Sequence, residues 1–360
     1  MRKLRRILRP LKDPRASNAR HDFVEILIIA LAATLAGARA CTDFEFFALG
    51  REDLLRRFLK LKHGIPSHDT FTNVFRALDP QGLEAVLRKF GKSFGVKGVV
   101  SIDGKALRGA YERGRQAVPL HMVNVWAAGT RMALAQRKAP NRNEVAGALE
   151  VLALLDLKGT IVTADALHCR PDIAQAIRRR KGHYVLAIKR NRGRLFTAVK
   201  ARLDMARRPQ RATQPTTKAH GRVERRQAIV ISAAELGQEY GFPDLVVIGR
   251  IESSRKVAGK PAKSKLRYFL ASRPLSAKKL LDVSRAHWGI ENNLHWVLDM
   301  LFDEDACRSR KDHGPANLAV IRKLALNILQ ATPGPLRLRH KMLQARWNDA
   351  FLLNAIGHMR

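Results

Sequence analysis

TIVTADALHCRPDIAQAIRRRKGHYVLAI, residues 160–188, alternates two kinds of segment. TIVTADA is a short β-branched run that closes on an acid, Asp165, and reads as a strand. Pro171–Arg180 reads as a helix, and HYVLAIK as a second strand. Outward on the N-terminal side, VVSID from Val99 is another short apolar strand ending in an acid, Asp103. HMVNVWAA and MALAQRKA follow as strands joined at Gly129-Thr130, a hairpin signal. NEVAGALEVLALL is helical, and on the C-terminal side so is Leu195–Ala206.

The order from Val99 is therefore three strands in a meander, then helix, strand, helix, strand, helix. That is a ribonuclease H-like order, and it predicts an α/β fold: a mixed sheet with flanking helices. Residues 208–275 interrupt it with Gln227–Ser232, Leu245–Glu252 and Leu266–Ser272 as strands around a basic loop, SSRKVAGKPAKSK, and read as a β-rich insertion. Residues 1–95 are expected to form a helical N-terminal domain. Its helices run from an Asp22 cap through Ala38, over Thr42–Leu61, over Thr70–Leu78 behind a Ser67 or Asp69 cap, and over Glu84–Phe94. Residues 96–330 then form the catalytic domain, with Ser276 capping one long helix and Asn317–Gln330 making the last, and 331–360 read as a basic tail.

The formal net charge is +36, with Lys and Arg spread along the whole chain. Neutral small-molecule chemistry does not call for such a surplus; a polyanion partner does, because phosphate neutralisation releases counterions. Cys41, Cys169 and Cys307 lack CxxC spacing, which excludes a cysteine-rich zinc site or disulfide framework and fits a reducing cytoplasm. The N-terminal MRKLRRILRPLK followed by ILIIALAATLAGA imitates an export signal. Asp13, Asp22, Glu25 and Arg39 argue for a buried helix instead, and the apolar run is too short to span a bilayer.

The chemistry rests on acids. Asp103 and Asp165 end strands, and Glu291 lies in HWGIENNLHWVLDMLFDED, a helix starting at His287. Three such carboxylates can hold two divalent cations, which about 4 Å apart activate the attacking and stabilise the leaving oxygen in phosphodiester transfer. His287, Glu291 and His295 share one helical stripe, but the two histidines lie about 12 Å apart along the axis, too far to share one zinc at bonds near 2 Å. Substrate contact, hydrogen bonding around the acids and a structural role stay open for both. Trp288, Leu294, Val297, Leu298 and Leu301 are expected on the buried face; Trp296 reads as core, with stacking on a base as the alternative. Asp299, Asp303, Glu304 and Asp305 read as ion-pair partners of Arg308 and Arg310. Lys105 and Arg108 follow Asp103, Lys189, Asn191 and Arg192 follow the VLAI strand, and Arg222 belongs to HGRVERR. As a set they suit phosphate contacts, which position nucleic acid without reading its sequence.

GIPSHDTF, IDGKALRG, KAPNRNEVAGALEVLALLDLKGTIVTADALHC, HYVLAIKRNRGRL, HGRVERR and HWGIENNLHWVLDMLFDED together resemble the DDE transposases of bacterial insertion sequences, in particular the H-repeat-associated, ISAs-type family. The resemblance covers most of residues 10–330 and implies catalytic, metal-holding acids at Asp103, Asp165 and Glu291, with Mg²⁺ as the ion and Mn²⁺ as a substitute. It implies terminal inverted repeats and target DNA as partners, a homodimer on the DNA, no membrane association, and a bacterial cytoplasmic, nucleoid-associated protein. Wider relatives carry Tyr, Arg and Lys around the last acid; Ser284, His287 and Leu298 stand in those places here. Arg285 and His287 are the expected substitutes, and His295 is a further expected DNA contact. A nuclease of the same core without strand transfer, and an inactive DNA-binding relic, are the alternatives.

Overall fold

The computed structural model describes residues 2–111, 119–219, 222–257 and 261–357. Helices come first: α1 (Arg2–Leu8), α2 (Phe23–Leu35), α3 (Cys41–Leu49), α4 (Glu52–Arg56), α5 (His68–Ala77) and α6 (Pro80–Lys92). Asp22 caps α2 through the Glu25 N–H at 2.9 Å, as its side chain suits. The signal-like run is buried around nearly its whole circumference. Glu25, the acid that interrupts it, is satisfied by Arg5 and by the backbone N–H groups of Lys60 and Leu61. Among the described residues no helix is long and apolar enough to cross a membrane. Two expected helices differ. Thr42–Leu61 divides into α3 and α4 at Gly50, and α6 starts at Pro80 rather than Glu84, because Asp79 caps it and proline suits its first turn.

Strands β1 (Val99–Tyr111), β2 (Pro119–Ala127) and β3 (Met132–Lys138) form an antiparallel meander. After α7 (Glu144–Ala153) comes β4 (Ile161–Ala164), parallel to β1; after α8 (Pro171–Arg179) comes β5 (His183–Ile188), parallel to β4. The order β3-β2-β1-β4-β5 is ribonuclease H-like, as the sequence predicts. Helix α9 (Gly193–Asp204) leads into β6 (Gln210–Thr213), β7 (Thr217–Ala219), β8 (Arg222–Ser232), α10 (Ala234–Tyr240), β9 (Val247–Val257) and β10 (Lys263–Ala271). These strands do not form a separate layer. β10 pairs antiparallel with β5, and β9, β8 and β6 continue the same sheet outward, with β7 beside β8. The predicted basic loop is mostly strand: β9 and β10 run through it to Val257 and from Lys263.

The chain ends with α11 (Ala277–His287), α12 (Trp296–Phe302), α13 (Gly314–Ala331), α14 (Leu338–Trp347) and α15 (Asp349–Gly357). Strand alternation decides which face each residue serves. Val100, Ile102, Val162 and Ala164 join the core under α7, α8 and α9. Their neighbours Ser101, Asp103 and Thr163 therefore face the side where α11 lies. Residues 331–357 are not a tail. Met342, Ala345, Leu352, Ala355 and Ile356 are buried in one core with α2, α13 and the helix that carries Glu291.

Candidate active site

Asp103 lies within β1 rather than at its end, since pairing with β2 continues past it; its register partner is Asn124. Asp165 follows β4 directly and caps a single turn at Ala166–His168. Glu291 opens a widened turn, Glu291–His295, between α11 and α12, in which the Trp296 N–H donates to the Glu291 carbonyl. Such π-turns recur at functional sites because one extra residue re-aims the side chains. Gly289 lets this turn approach the sheet: a Cβ there would stand 2.4 Å from the Trp126 ring. The three acids line one cavity of about 620 Å³ together with Thr163, Lys189, His287 and Trp288.

The electrostatics are those of crowded carboxylates. Burial pushes Asp103 upward, and the charges of Glu291 and Asp165 add to it. The imidazole of His295 holds Glu291 low. Burial also raises Asp165, but hydrogen bonds from His168 Nδ1, at 2.8 Å, and from the Leu167 and His168 N–H groups outweigh it and leave the carboxyl below its usual range. Burial drops His287 to about 4, so its ring is neutral at pH 7; its Nδ1 meets Thr163 Oγ1 at 3.1 Å. Asp103, Glu291 and His295 each offer a donor atom within 4.8 Å of the others. An oxygen-rich set with uncompensated anionic charge fits a divalent cation. The Asp165 carboxylate stands outside that tightest group, on the same cavity wall.

Several expected DNA contacts are placed otherwise. The Lys105 side chain is 8% exposed, and its ammonium is held by Asp299 at 2.6 Å and Asp305 at 3.2 Å, beside Glu304 at 3.9 Å. Glu304 and Lys323, 3.7 Å apart and both fully buried, extend this charge network behind the site. Lys105 therefore joins β1 to the segment after α12 and does not reach outward, and Asp299, Glu304 and Asp305 answer it more than they answer Arg308. Asn191 and Arg192 donate to the carbonyls of Ala166 and Cys169 at 2.7 and 2.9 Å, bracing the loop that carries Asp165. His295 is buried between the acids, and His287, half-buried, turns Nδ1 to Thr163 while it lines the cavity. Arg108, Lys189 and Arg285 are exposed. The Arg222 side chain and His220 lie outside the described residues.

The expected buried tryptophans are the second departure. Leu294, Val297 and Leu298 are core, but Trp288 is 39% and Trp296 59% exposed. The widened turn shifts the helical stripe before Trp296, and Trp288 packs under Arg267, whose guanidinium carbon lies 4.5 Å from the ring centroid. Both residues, with Lys265, form the ridge between the acid cavity and a neighbouring groove of about 770 Å³. Arg226, Arg255, Lys263, Arg285 and Asn292 line that groove. In the β9–β10 hairpin Lys263 stands directly opposite Arg255. On its other side Arg255 faces Glu224 of β8, the one acid among the described residues that line the groove. Sequence reading missed Lys265, which falls in the stretch read as a basic loop, and Arg267, which falls inside the expected strand Leu266–Ser272.

Residues 94–328 match the family model described as transposase DDE domain, and residues 5–91 match a model for the segment associated with it. The "H repeat-associated putative transposase YhhI" of Escherichia coli K12 is 30% identical over 94% of this chain and 93% of its own length. "Putative transposase YncI" of Escherichia coli O157:H7 is 31% identical over 86% of this chain and 83% of its own. A piggyBac transposase solved as a synaptic complex with hairpin DNA aligns with TM-score 0.45 and 13% identity over 98% of this chain and 77% of that one.

Proposed function

Since the chain belongs to the transposase DDE-domain family, we propose that it binds the ends of a mobile element and catalyses strand cleavage and strand transfer on DNA, using Asp103, Asp165 and Glu291 to hold Mg²⁺ or Mn²⁺. The observation that carries this reading is one cavity lined by all three acids with a basic groove opening beside it. When bound, divalent ions activate the attacking oxygen and neutralise charge at the leaving oxygen of the phosphodiester. The protein's part is positioning and electrostatics. The sheet orients Asp103 and Asp165, and the widened turn brings Glu291 over them. Neutral His287 keeps the wall beside Asp165 uncharged, while Lys189 and Lys265 at the cavity rim and Arg285 in the groove meet phosphates of the DNA backbone. The exposed face of Trp288 offers a surface on which a base can stack.

A supercoiled plasmid bearing the element's inverted repeats tests this. Wild-type protein should cleave at the repeat ends with Mg²⁺ or Mn²⁺ and join pre-cleaved ends to a target. Asp165→Ala should bind the same DNA and cleave about 10³-fold more slowly or less. Cleavage without joining identifies a nuclease instead. Normal cleavage by Asp165→Ala removes that residue from the chemistry.

A further inference from the structure

Behind Asp103 and Glu291 stands a side chain that the three-acid reading does not use. His295 is 6% exposed. Its Nδ1 is 3.6 Å from Asp103 Oδ2 and 3.6 Å from Glu291 Oε2. Neither distance is that of a formed hydrogen bond. Donors bonded at about 2.1 Å to one tetrahedral or octahedral ion lie roughly 3.0–3.5 Å apart, so small movements close this set around a cation. The widened turn, with the Trp296 N–H on the Glu291 carbonyl, places His295 over Glu291.

The other ring nitrogen has a partner suited to a ligating imidazole. Asn124, the register partner of Asp103, is fully buried, and its amide nitrogen is 3.4 Å from His295 Nε2. Its Oδ1 has no hydrogen-bond partner. The two ends of an amide have the same shape, so a half-turn sets Oδ1 against Nε2. Nε2–H then donates to Oδ1, and Nδ1 keeps a free lone pair between the two carboxylates. A ligating histidine is oriented by such an acceptor on its far nitrogen.

We propose that His295 is a metal ligand, its Nδ1 joining Asp103 and Glu291 as the third donor, with Asn124 Oδ1 fixing the tautomer. The proposal rests on the reading that Asp103 and Glu291 hold a divalent ion. Imidazole suits borderline ions better than Mg²⁺, so this O,O,N set favours Mn²⁺ over Mg²⁺. Asp165, outside the set, remains available for a second ion.

Pulsed electron paramagnetic resonance on the full-length protein loaded with Mn²⁺ and labelled with ¹⁵N-histidine tests this without any variant. The expected result is a directly bonded nitrogen coupling that disappears in His295→Gln. Calorimetry should show Mn²⁺ affinity falling by about 10–100-fold in His295→Gln and in Asn124→Leu, with Mg²⁺ affinity changing less. Mn²⁺ bound through Asp103 and Glu291 without nitrogen coupling overturns the assignment of His295 alone. Mn²⁺ binding that is absent, or indifferent to Glu291→Gln, overturns the carboxylate site as well.

Discussion

One sheet serves two different purposes along its width. In the β3-β2-β1-β4-β5 half, β4 is buried throughout and β2 and β5 nearly so, and helices cover them. In the β10-β9-β8-β6 half, burial is confined to one end of the strands and reaches Ala228–Val230 of β8. Val247–Ile251 and Tyr268–Ala271 are mostly covered, whereas Glu252–Val257 is half-buried to exposed and Lys263–Leu266 is exposed. The buried half carries the carboxylates, because a rigid packed strand holds a side chain to within tenths of an ångström. The exposed half carries cations, and under the proposed function they meet phosphates, contacts that tolerate looser geometry but need access to a duplex. The difference teaches that the β-rich segment is the outer wing of the sheet that bears Asp103 and Asp165 rather than an appendage to it.

If this division is right, variants in the two halves fail differently. The largest effect should come from the charge network behind the site. Glu304→Ala leaves Lys323 buried without its anion, and breaking such a pair costs about 3–5 kcal/mol. Chemical denaturation should read that loss, and an unchanged midpoint would mean the network carries no stability. Next is the wing. Arg255, Lys263 and Lys265 changed together to Ala should leave the denaturation midpoint within experimental scatter. DNA affinity should fall, and the slope of log K against log salt should drop by up to about 0.9 for each phosphate no longer neutralised. A large stability loss with unchanged DNA binding would reverse the comparison. The smallest effect is a pH drift in the buried half. Burial raises Glu84 to about 7 even though Arg137 meets it at 2.7 Å. The folded state therefore keeps a proton that the unfolded chain releases, and stability contributed at low pH is lost as pH climbs from about 4.5 through about 7. The stability difference between wild type and Glu84→Gln should shift toward the variant between about pH 5 and pH 8; a constant difference would remove Glu84 from the titration.

Much of the buried half was legible along the chain. The strands that carry Asp103 and Asp165, the caps at Asp22 and Ser67, and the apolar stripe through Leu294 and Leu298 follow from local rules of alternation, capping and helical period, although β1 continues past Asp103. The wing was harder to read. Exposed strands rich in Lys, Arg and Ser lack the apolar alternation that marks a half-buried strand, so 253–265 read as a loop. The exposure of Trp296 was also hidden, because the backbone widens by one residue just before it. The consumption of Lys105 inside the protein depends on Asp299, Glu304 and Asp305, about two hundred positions away in the chain, and no local pattern announces such a partner.

The sequence by itself determined the net charge of +36, the order of strands and helices from Val99 to the helix after β5, and the elements on which the three acids stand, since each depends on composition or on neighbours within a few residues. Only the tertiary structure decided that Asp103 and Glu291 meet at His295 with Asn124 behind it. It also decided that Asp165 stands slightly apart under His168, and that the basic wing opens beside the cavity. Those relations depend on which strands pair and how closely a helix can approach the sheet, and such distances are set when the core packs, not by any short stretch of chain.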